Sequence, residues 1–439
     1  MMKIFGSVSL LLIVLSSVNG NDDSYEGFKI YGVDLNTRAD LELLKAAGDN
    51  LDLDFLSTSA LHRNASVMVS PWNDEAFRTM LSKNDLTYRI TQSNVQHLID
   101  REIAARNIHS RKRRSAKSAK QEDTETMFDH FWTLEEIYQY LDDLKKQYPK
   151  LVRVADFGVT HEGRPIKVIT ISAKGILDQR TPVVLIDGGI HAREWAGHMS
   201  VLYLIHQLVE RSAENMDLLK NTNWVIMPVA NPDGYVYTHK SNRLWRKNRA
   251  PVNVLCIGTD LNRNFPFQWS FYGGECSNGY AGQTPASELE TRAIMLMMAK
   301  YAHVTKVYLA VHTCGDYILY PYGYGYVDAP NKAQLQELGD KAAAAVKAIG
   351  GPEYAVGSAS VLLYPANGSD DYIYGSSDVE YSYTLELSCG ANSDAFIVSL
   401  EEMQSINKHA FEMFKVFGTF AGEQTVTPLS ATSGARQSL

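Results

Sequence analysis

In the stretch VVLIDGGIHAREW an apolar run ends in two glycines and is followed by His191, Arg193, Glu194 and Trp195. An imidazole and a carboxylate three residues apart can face the same side of a turn, a pairing that zinc accepts. Two more ligand-type residues follow apolar runs: His312 comes directly after VYLAV, and Glu386 after YSYTL. Catalytic zinc takes three His or carboxylate ligands and keeps one position for water, and His191, Glu194 and His312 make up that set. Glu386 is then left as a carboxylate able to take a proton from the water. A His-x-x-Glu pair is common by chance, and a lone histidine after a strand is more often a satisfied core residue than a ligand. The weight lies in several independent run ends, each carrying a ligand-type side chain.

A second group is cationic. RLWRKNR supplies Arg243, Arg246, Lys247 and Arg249, and GTDLNRNF supplies Asn262 and Arg263. Charge runs usually form a solvated face. Arg263, however, stands in a weakly charged stretch with Phe265 and Phe267. An arginine with an asparagine neighbour suits bidentate capture of a carboxylate. A metal, a base and a carboxylate clamp together describe cleavage beside a free chain terminus.

These residues need a scaffold that brings the run ends together. Thr133-Leu134-Glu135-Glu136 is a capping box opening a helix towards Pro149. Beyond it, strands are expected at 182–186, 224–229, 307–311 and 381–387, and helices at 195–208, 286–302, 332–349 and 400–420. The alternation predicts an α/β fold, a mixed or mostly parallel central β-sheet with helices on both faces. Ligands then sit outside the carboxyl ends of the strands. Residues 25–106 differ: 28–33 and 86–90 are strand-like, and 39–47, 74–81 and 95–105 have helical spacing. They predict a small α+β unit. The run RKRRSAKSAK at 111–120 cannot bury its charge and reads as an exposed linker that a trypsin-like protease would cut.

The chain has 439 residues with a net charge of −8, 45% hydrophobic and 21% charged, which excludes a mostly disordered chain and gives no basic face for nucleic acid. Residues 1–20 read as a secretory signal: Lys3, an apolar run from Val8 to Leu15 broken by Ser9, then Val18 and Gly20. That run is too short to span a bilayer, and no later segment has the unbroken apolar stretch a span requires, so a soluble, exported protein is expected. Four cysteines allow one or two staples rather than a disulfide scaffold. Residues 422–439, rich in Thr, Ser, Gly and Ala, read as a disordered tail.

From about Thr133 to Phe420 the chain resembles the zinc carboxypeptidases of the pancreatic A/B type, and the preceding region resembles their inhibitory activation domain. HAREW, RLWRKNR, GTDLNRNF, AVHT, LLYPANG and TLEL occur in family order. The resemblance implies one Zn2+ on His191, Glu194 and His312, with Glu386 as general base. Arg246 resembles the arginine that polarises the scissile carbonyl. Asn262 and Arg263 resemble the pair that holds the substrate's terminal carboxylate, Tyr364 the mobile tyrosine that closes over it, and Arg193 a secondary substrate contact. The implied layout is a signal peptide at 1–20, an activation domain at 21–110, a cleavable linker at 111–120, a catalytic domain at 121–421 and a tail at 422–439. The implied partners are peptide or protein C-termini as substrate and an activating trypsin-like or furin-like protease. The enzyme is expected to be a secreted monomer, with no nucleic-acid or membrane partner.

Specificity by resemblance turns on Asp371, seven residues after Tyr364 in GSDDY. B-type members carry an Asp there that binds C-terminal Lys or Arg, and A-type members an apolar residue. A B-type preference is expected. Apolar specificity and an inactive C-terminus-binding homologue are the alternatives, as is an exposed-loop reading of Asp370 and Asp371. Gly323 and Ala359 resemble pocket-wall positions. Cys256 and Cys276 match the family's disulfide. Cys314 stands where the family usually has a tyrosine, and a second disulfide to Cys389 is the hypothesis. Asn64 and Asn367 open glycosylation sequons.

Overall fold

The structure is a computed structural model that describes residues 24–51, 53–59, 63–116, 127–175, 180–271, 273–389 and 396–426. The expected signal at 1–20, linker residues 117–120 and tail residues 427–439 lie outside them. The N-terminal unit runs β1 (Lys29–Asp34), α1 (Arg38–Leu51), β2 (Asp54–Ser59), β3 (Asn64–Val69), α2 (Asp74–Lys83), β4 (Tyr88–Gln92) and α3 (Gln96–Ala116). Its sheet has the order β2-β3-β1-β4, with every pair antiparallel. The period of two in β1 sends Tyr31 and Val33 into a core with Leu44, Phe77 and Leu81 of α1 and α2. It sends Ile30 the other way, where it packs with Leu56, Leu98 and Ile99 and with Leu244 and Phe396 of the larger unit. Both faces of this small sheet are therefore covered, the second partly by the larger unit.

The larger unit runs α4 (Leu134–Gln147), β5 (Val152–Val159), β6 (Pro165–Ile171), β7 (Val183–Gly188), α5 (Trp195–Val209), α6 (Asp217–Lys220), β8 (Asn223–Met227), α7 (Pro232–Lys240), α8 (Leu289–Tyr301), β9 (Thr305–Thr313), β10 (Tyr317–Tyr320), α9 (Lys332–Ala348), β11 (Ala355–Ser358), α10 (Ala359–Leu362), α11 (Ser369–Ser376), β12 (Tyr381–Leu387) and α12 (Leu400–Glu423). The sheet order is β11-β10-β12-β9-β7-β8-β6-β5. The central run β12-β9-β7-β8 is parallel, and antiparallel β5, β6 and the β10–β12 pair make the sheet mixed. Along β7, Val184 and Ile186 join a core with α5 and α12, while Val183 and Leu185 join a second core with Ile294 and Met297 of α8. Helices thus cover both faces, as the alternating pattern predicts. The capping box at α4 is formed: Thr133 Oγ1 accepts from Glu136 N at 3.2 Å, and Glu136 Oε2 accepts from Thr133 N at 2.9 Å.

Three expectations need correction. Residues 111–116 continue α3 as helix, since Lys and Arg are good helix formers. The C-terminal tail begins later than residue 422: α12 runs to Glu423, and Val426 packs against the α8 core. Asp370 and Asp371 do not form an exposed loop pair. They lie in the first turn of α11 and are buried.

Candidate metal centre and substrate pocket

His312 is the penultimate residue of β9, and Glu386 that of β12; the two are direct partners across parallel strands. β9 extends two residues beyond each end of the expected 307–311, and β12 has the expected bounds 381–387. His191 lies three residues beyond β7, after Gly188 and Gly189. Gly189 has φ 72°, and a Cβ there would strike the ring of His198. The same ring holds the turn: His198 Nδ1 lies 2.9 Å from the carbonyl of Glu194, the residue before α5.

The three donors converge. His191 Nδ1 is 2.8 Å from Glu194 Oε1, and His312 Nδ1 is 3.1 Å from both Glu194 Oε2 and His191 Nδ1. Thr313 N also donates to Glu194 Oε2 at 3.1 Å. One donor atom from each residue lies within 4.8 Å of the others, and all three residues are buried. His191 Nε2 is 3.1 Å from Asp260 Oδ1, which places that ring's proton on Nε2 and leaves the Nδ1 lone pair for an ion. Two imidazole nitrogens and a carboxylate facing one another at this spacing are the donor set zinc takes, and the residues fit it.

Asp260 is the acid that sequence reasoning left without a role. Besides His191 it accepts from Arg246 Nε at 3.1 Å and Nη2 at 2.9 Å, and from Asn262 N at 3.0 Å. Burial acts to raise its pKa, but Arg246 and His191 outweigh that and hold it well below the usual carboxylate range. Its position two residues before Asn262 in GTDLNRNF was the available signal. Burial lowers the pKa of His191, with Arg246 adding to the effect, which favours the neutral, ligating imidazole. Burial pushes the Glu386 carboxyl up to about 7, against the pull of His312.

The cationic residues divide. Arg246 and Arg263 join the site; Arg243 does not. Arg263 Nη1 donates to the carbonyl of Asn262 at 2.9 Å, and its Nη2 lies 3.3 Å from the Tyr364 hydroxyl. Asn262 Oδ1 accepts from Ser369 N at 2.9 Å, which ties Asn262 to α11. Arg243 instead donates from Nε to Glu102 of α3 at 2.7 Å, with its guanidinium 3.7 Å from the centroid of Trp195. One cavity is lined by His191, Glu194, Arg246, Asn262, Arg263 and Glu386, and also by Tyr364, Ala359 and Asp370. Asp371 sits behind its wall, accepting from Gly323 N at 2.8 Å and Tyr324 N at 2.7 Å.

The N-terminal unit covers this cavity. Phe55, Leu56, Ser57 and Thr58 of β2 line it. Arg193, expected to touch substrate, is fully buried and donates through both terminal nitrogens to Asp54 of β2, one contact being 2.9 Å. Lys45 of α1 lies over the ring of Tyr364. Two disulfides are formed, Cys256–Cys276 and Cys314–Cys389, with Cα separations of 4.8 and 5.1 Å. The peptide bond between Thr313 and Cys314 is cis.

Residues 137–413 match the zinc carboxypeptidase family and residues 31–102 the carboxypeptidase activation peptide. The chain therefore belongs to the zinc carboxypeptidase family, as a Zn2+-dependent carboxypeptidase that carries an activation peptide. It is similar to carboxypeptidase B of Helicoverpa zea, with 34% identity over 430 residues covering 94% of this chain and 98% of that protein. It is 39% identical to carboxypeptidase B of Astacus astacus over 293 residues, covering 65% of this chain and 95% of that protein. Among solved structures, carboxypeptidase A from Helicoverpa armigera superposes with a TM-score of 0.83 at 33% identity, covering 91% of this chain and 98% of that one. Relatives thus carry both A and B names. Among the described residues no helix is long and apolar enough to cross a membrane.

Proposed function

We propose that this carboxypeptidase is a secreted zymogen that removes Lys or Arg from peptide C-termini once its activation unit is cut away. The observation that carries the substrate class is the pair of buried carboxylates, Asp370 and Asp371, beside the cavity that also holds Arg263 and Asn262. A carboxylate at a closed pocket needs a cation, and an apolar side chain there leaves it unpaired.

His191, Glu194 and His312 would hold the zinc, which when bound lowers the pKa of a water and polarises the scissile carbonyl. Arg263 and Asn262 bind the terminal carboxylate. An internal residue has no such group to offer, so the clamp confines cleavage to the chain end. Tyr364, within 3.3 Å of Arg263, closes over that carboxylate. Glu386 takes the proton of the attacking water and then delivers it to the leaving amine. Arg246 donates to the carbonyl oxygen as negative charge develops there. The apolar leader at 1–20 supports export, and the basic run at 111–120 supports cutting by a trypsin-like or furin-like protease.

The test is hydrolysis of matched substrates ending in Arg, Phe and Leu by trypsin-treated protein, with and without a zinc chelator. Chelator-sensitive release of Arg far above Phe and Leu is expected. A preference for the apolar residues would reject the substrate class while keeping the enzyme. No release from folded, cut, zinc-supplied protein would leave only C-terminus binding.

A further inference from the structure

Asp187 is the penultimate residue of β7 and lies directly opposite Ala310 of β9 across the parallel pair. Side chains alternate along a strand, so Tyr308, Ala310 and His312 share the face of β9 that Asp187 meets. Ala310 is small, which leaves the Asp187 carboxyl flanked by the Tyr308 phenol on one side and the His312 ring on the other.

Only the first of these flanking groups bonds to it. The Tyr308 hydroxyl donates to Asp187 Oδ2. Asp187 Oδ1 is buried and has no hydrogen-bond partner among the described protein groups, and neither has His312 Nε2. Both residues are only 1% exposed, so bulk water does not satisfy either atom. The two atoms are complementary. His312 turns Nδ1 towards Glu194 and His191, which leaves the proton of a neutral, ligating ring on Nε2. That proton needs an acceptor, and Asp187 Oδ1 is an acceptor without a donor. The imidazole and the carboxyl are close enough to act on each other electrostatically. Asp370 adds a third group: its Oδ2 is likewise buried without a partner, and its charge acts on Asp187. Unsatisfied donors and acceptors gathered in one buried place are the setting that holds an ordered water.

We propose that Asp187 is the positioning residue of His312: one buried water accepts from His312 Nε2 and donates to Asp187 Oδ1, while Tyr308 fixes the carboxyl through its other oxygen. The ring is thereby held with its Nδ1 lone pair on the metal position. His191 has the same support directly, from Asp260 at 3.1 Å. Each imidazole of the centre then has a carboxylate behind it, one in contact and one through water. This rests on the reading of His312 as a zinc ligand.

The test measures the zinc affinity of the full, uncut chain, stripped of metal and reloaded in competition with a zinc-binding dye. Wild type is compared with Asp187→Asn, His312→Ala and the double variant, and the melting temperature of the metal-free protein reports whether each folds. Asp187→Asn should lower zinc affinity by about 10–100-fold, the range seen when the group supporting a ligating histidine is lost. In the His312→Ala background the same substitution should cost no further affinity, because there is no ring left to hold. Unchanged affinity in Asp187→Asn would overturn the proposal. So would an equal loss in both backgrounds, which is what a purely structural role gives. Should Asp187→Asn fail to fold, Tyr308→Phe is the second variant. It frees the carboxyl and should lower zinc affinity by about fivefold, the worth of one hydrogen bond; no loss there would also overturn the proposal. A His312→Ala protein that binds zinc as tightly as wild type would sink the ligand set itself, and the single variant alone shows that outcome.

Discussion

At the scale of single residues, Asp260 joins two functions that the sequence presents as separate. One oxygen accepts from the His191 ring and the other from Arg246. The first contact fixes the tautomer of a candidate zinc ligand, and the second aims the guanidinium that would stabilise developing charge. Asp260→Asn should therefore weaken both at once. Zinc affinity should fall about 10–100-fold, the usual effect of losing a carboxylate behind a ligating histidine. A fall in kcat with metal restored should accompany it. Dialysis against graded chelator, followed by assay at saturating zinc, measures the two effects separately; unchanged values in both would refute the linkage. The carboxylate pair carries a pH prediction. Burial, reinforced by Asp370, raises the pKa of Asp371 well above the carboxylate norm, and burial raises that of Asp370 too. A protonated carboxyl gives no charge to a cation. The ratio of kcat/KM for Arg over Leu should accordingly rise with pH through the titration of the pair, because Leu does not need the charge. A ratio that is flat, or falls as pH rises, would contradict it.

At the scale of elements, the strands that carry ligands were legible and the strand that covers them was not. Runs such as VVLI and VYLAV are apolar throughout because their strands lie at the centre of a sheet buried on both faces, so β7 and β9 stand out. The hairpin of β2 and β3 escaped notice because DFLSTS mixes Ser and Thr with few large apolar residues, and one of its faces is completed by the other unit. The edge pair β5 and β6 and the four-residue β10 and β11 are short or partly exposed, and alternation is faint there. That His191, Glu194 and His312 converge, and that Asn262, Arg263 and Glu386 share a cavity with the first two, could be read from their motifs. The partner of Arg193 could not, since Asp54 is 139 residues away and no local pattern links them. That pair makes β2 an anchor as well as a cover. Both groups are almost wholly buried, and removing one partner of such a pair costs about 3–5 kcal/mol. Asp54→Ala in the uncut zymogen should loosen β2 from the cavity and raise hydrolysis of a small Arg substrate before any proteolysis. If uncut Asp54→Ala is as silent as the uncut wild type, the ion pair is not what keeps the cover in place.

At the scale of the whole molecule, the docked activation unit places a lysine beside Arg263. Lys45 of α1 lies over the Tyr364 ring, and burial, with the charge of Arg263 adding to it, pulls its pKa down to about 6 from the ordinary value of 10.5. Glu42, on the same helix, opposes the shift without cancelling it. In a released activation unit this side chain returns to water and holds its proton across the neutral range. Between the two pKa values docking therefore expels a proton, so docking strengthens as pH rises from about 6 and weakens as pH falls towards it. For one proton the change is at most about tenfold in the docking constant per pH unit. After a cut within 111–120, the clipped unit should leave more readily near pH 6 than near pH 8. The readout is the activity that appears when clipped protein is diluted at each pH, divided by the activity of enzyme freed of the unit at the same pH. Lys45→Met keeps most of the apolar stem and removes the charge, so it should flatten this dependence and hold the clipped unit more tightly at the acid end. If wild type and Lys45→Met give the same release profile, the proton expelled on docking does not come from Lys45.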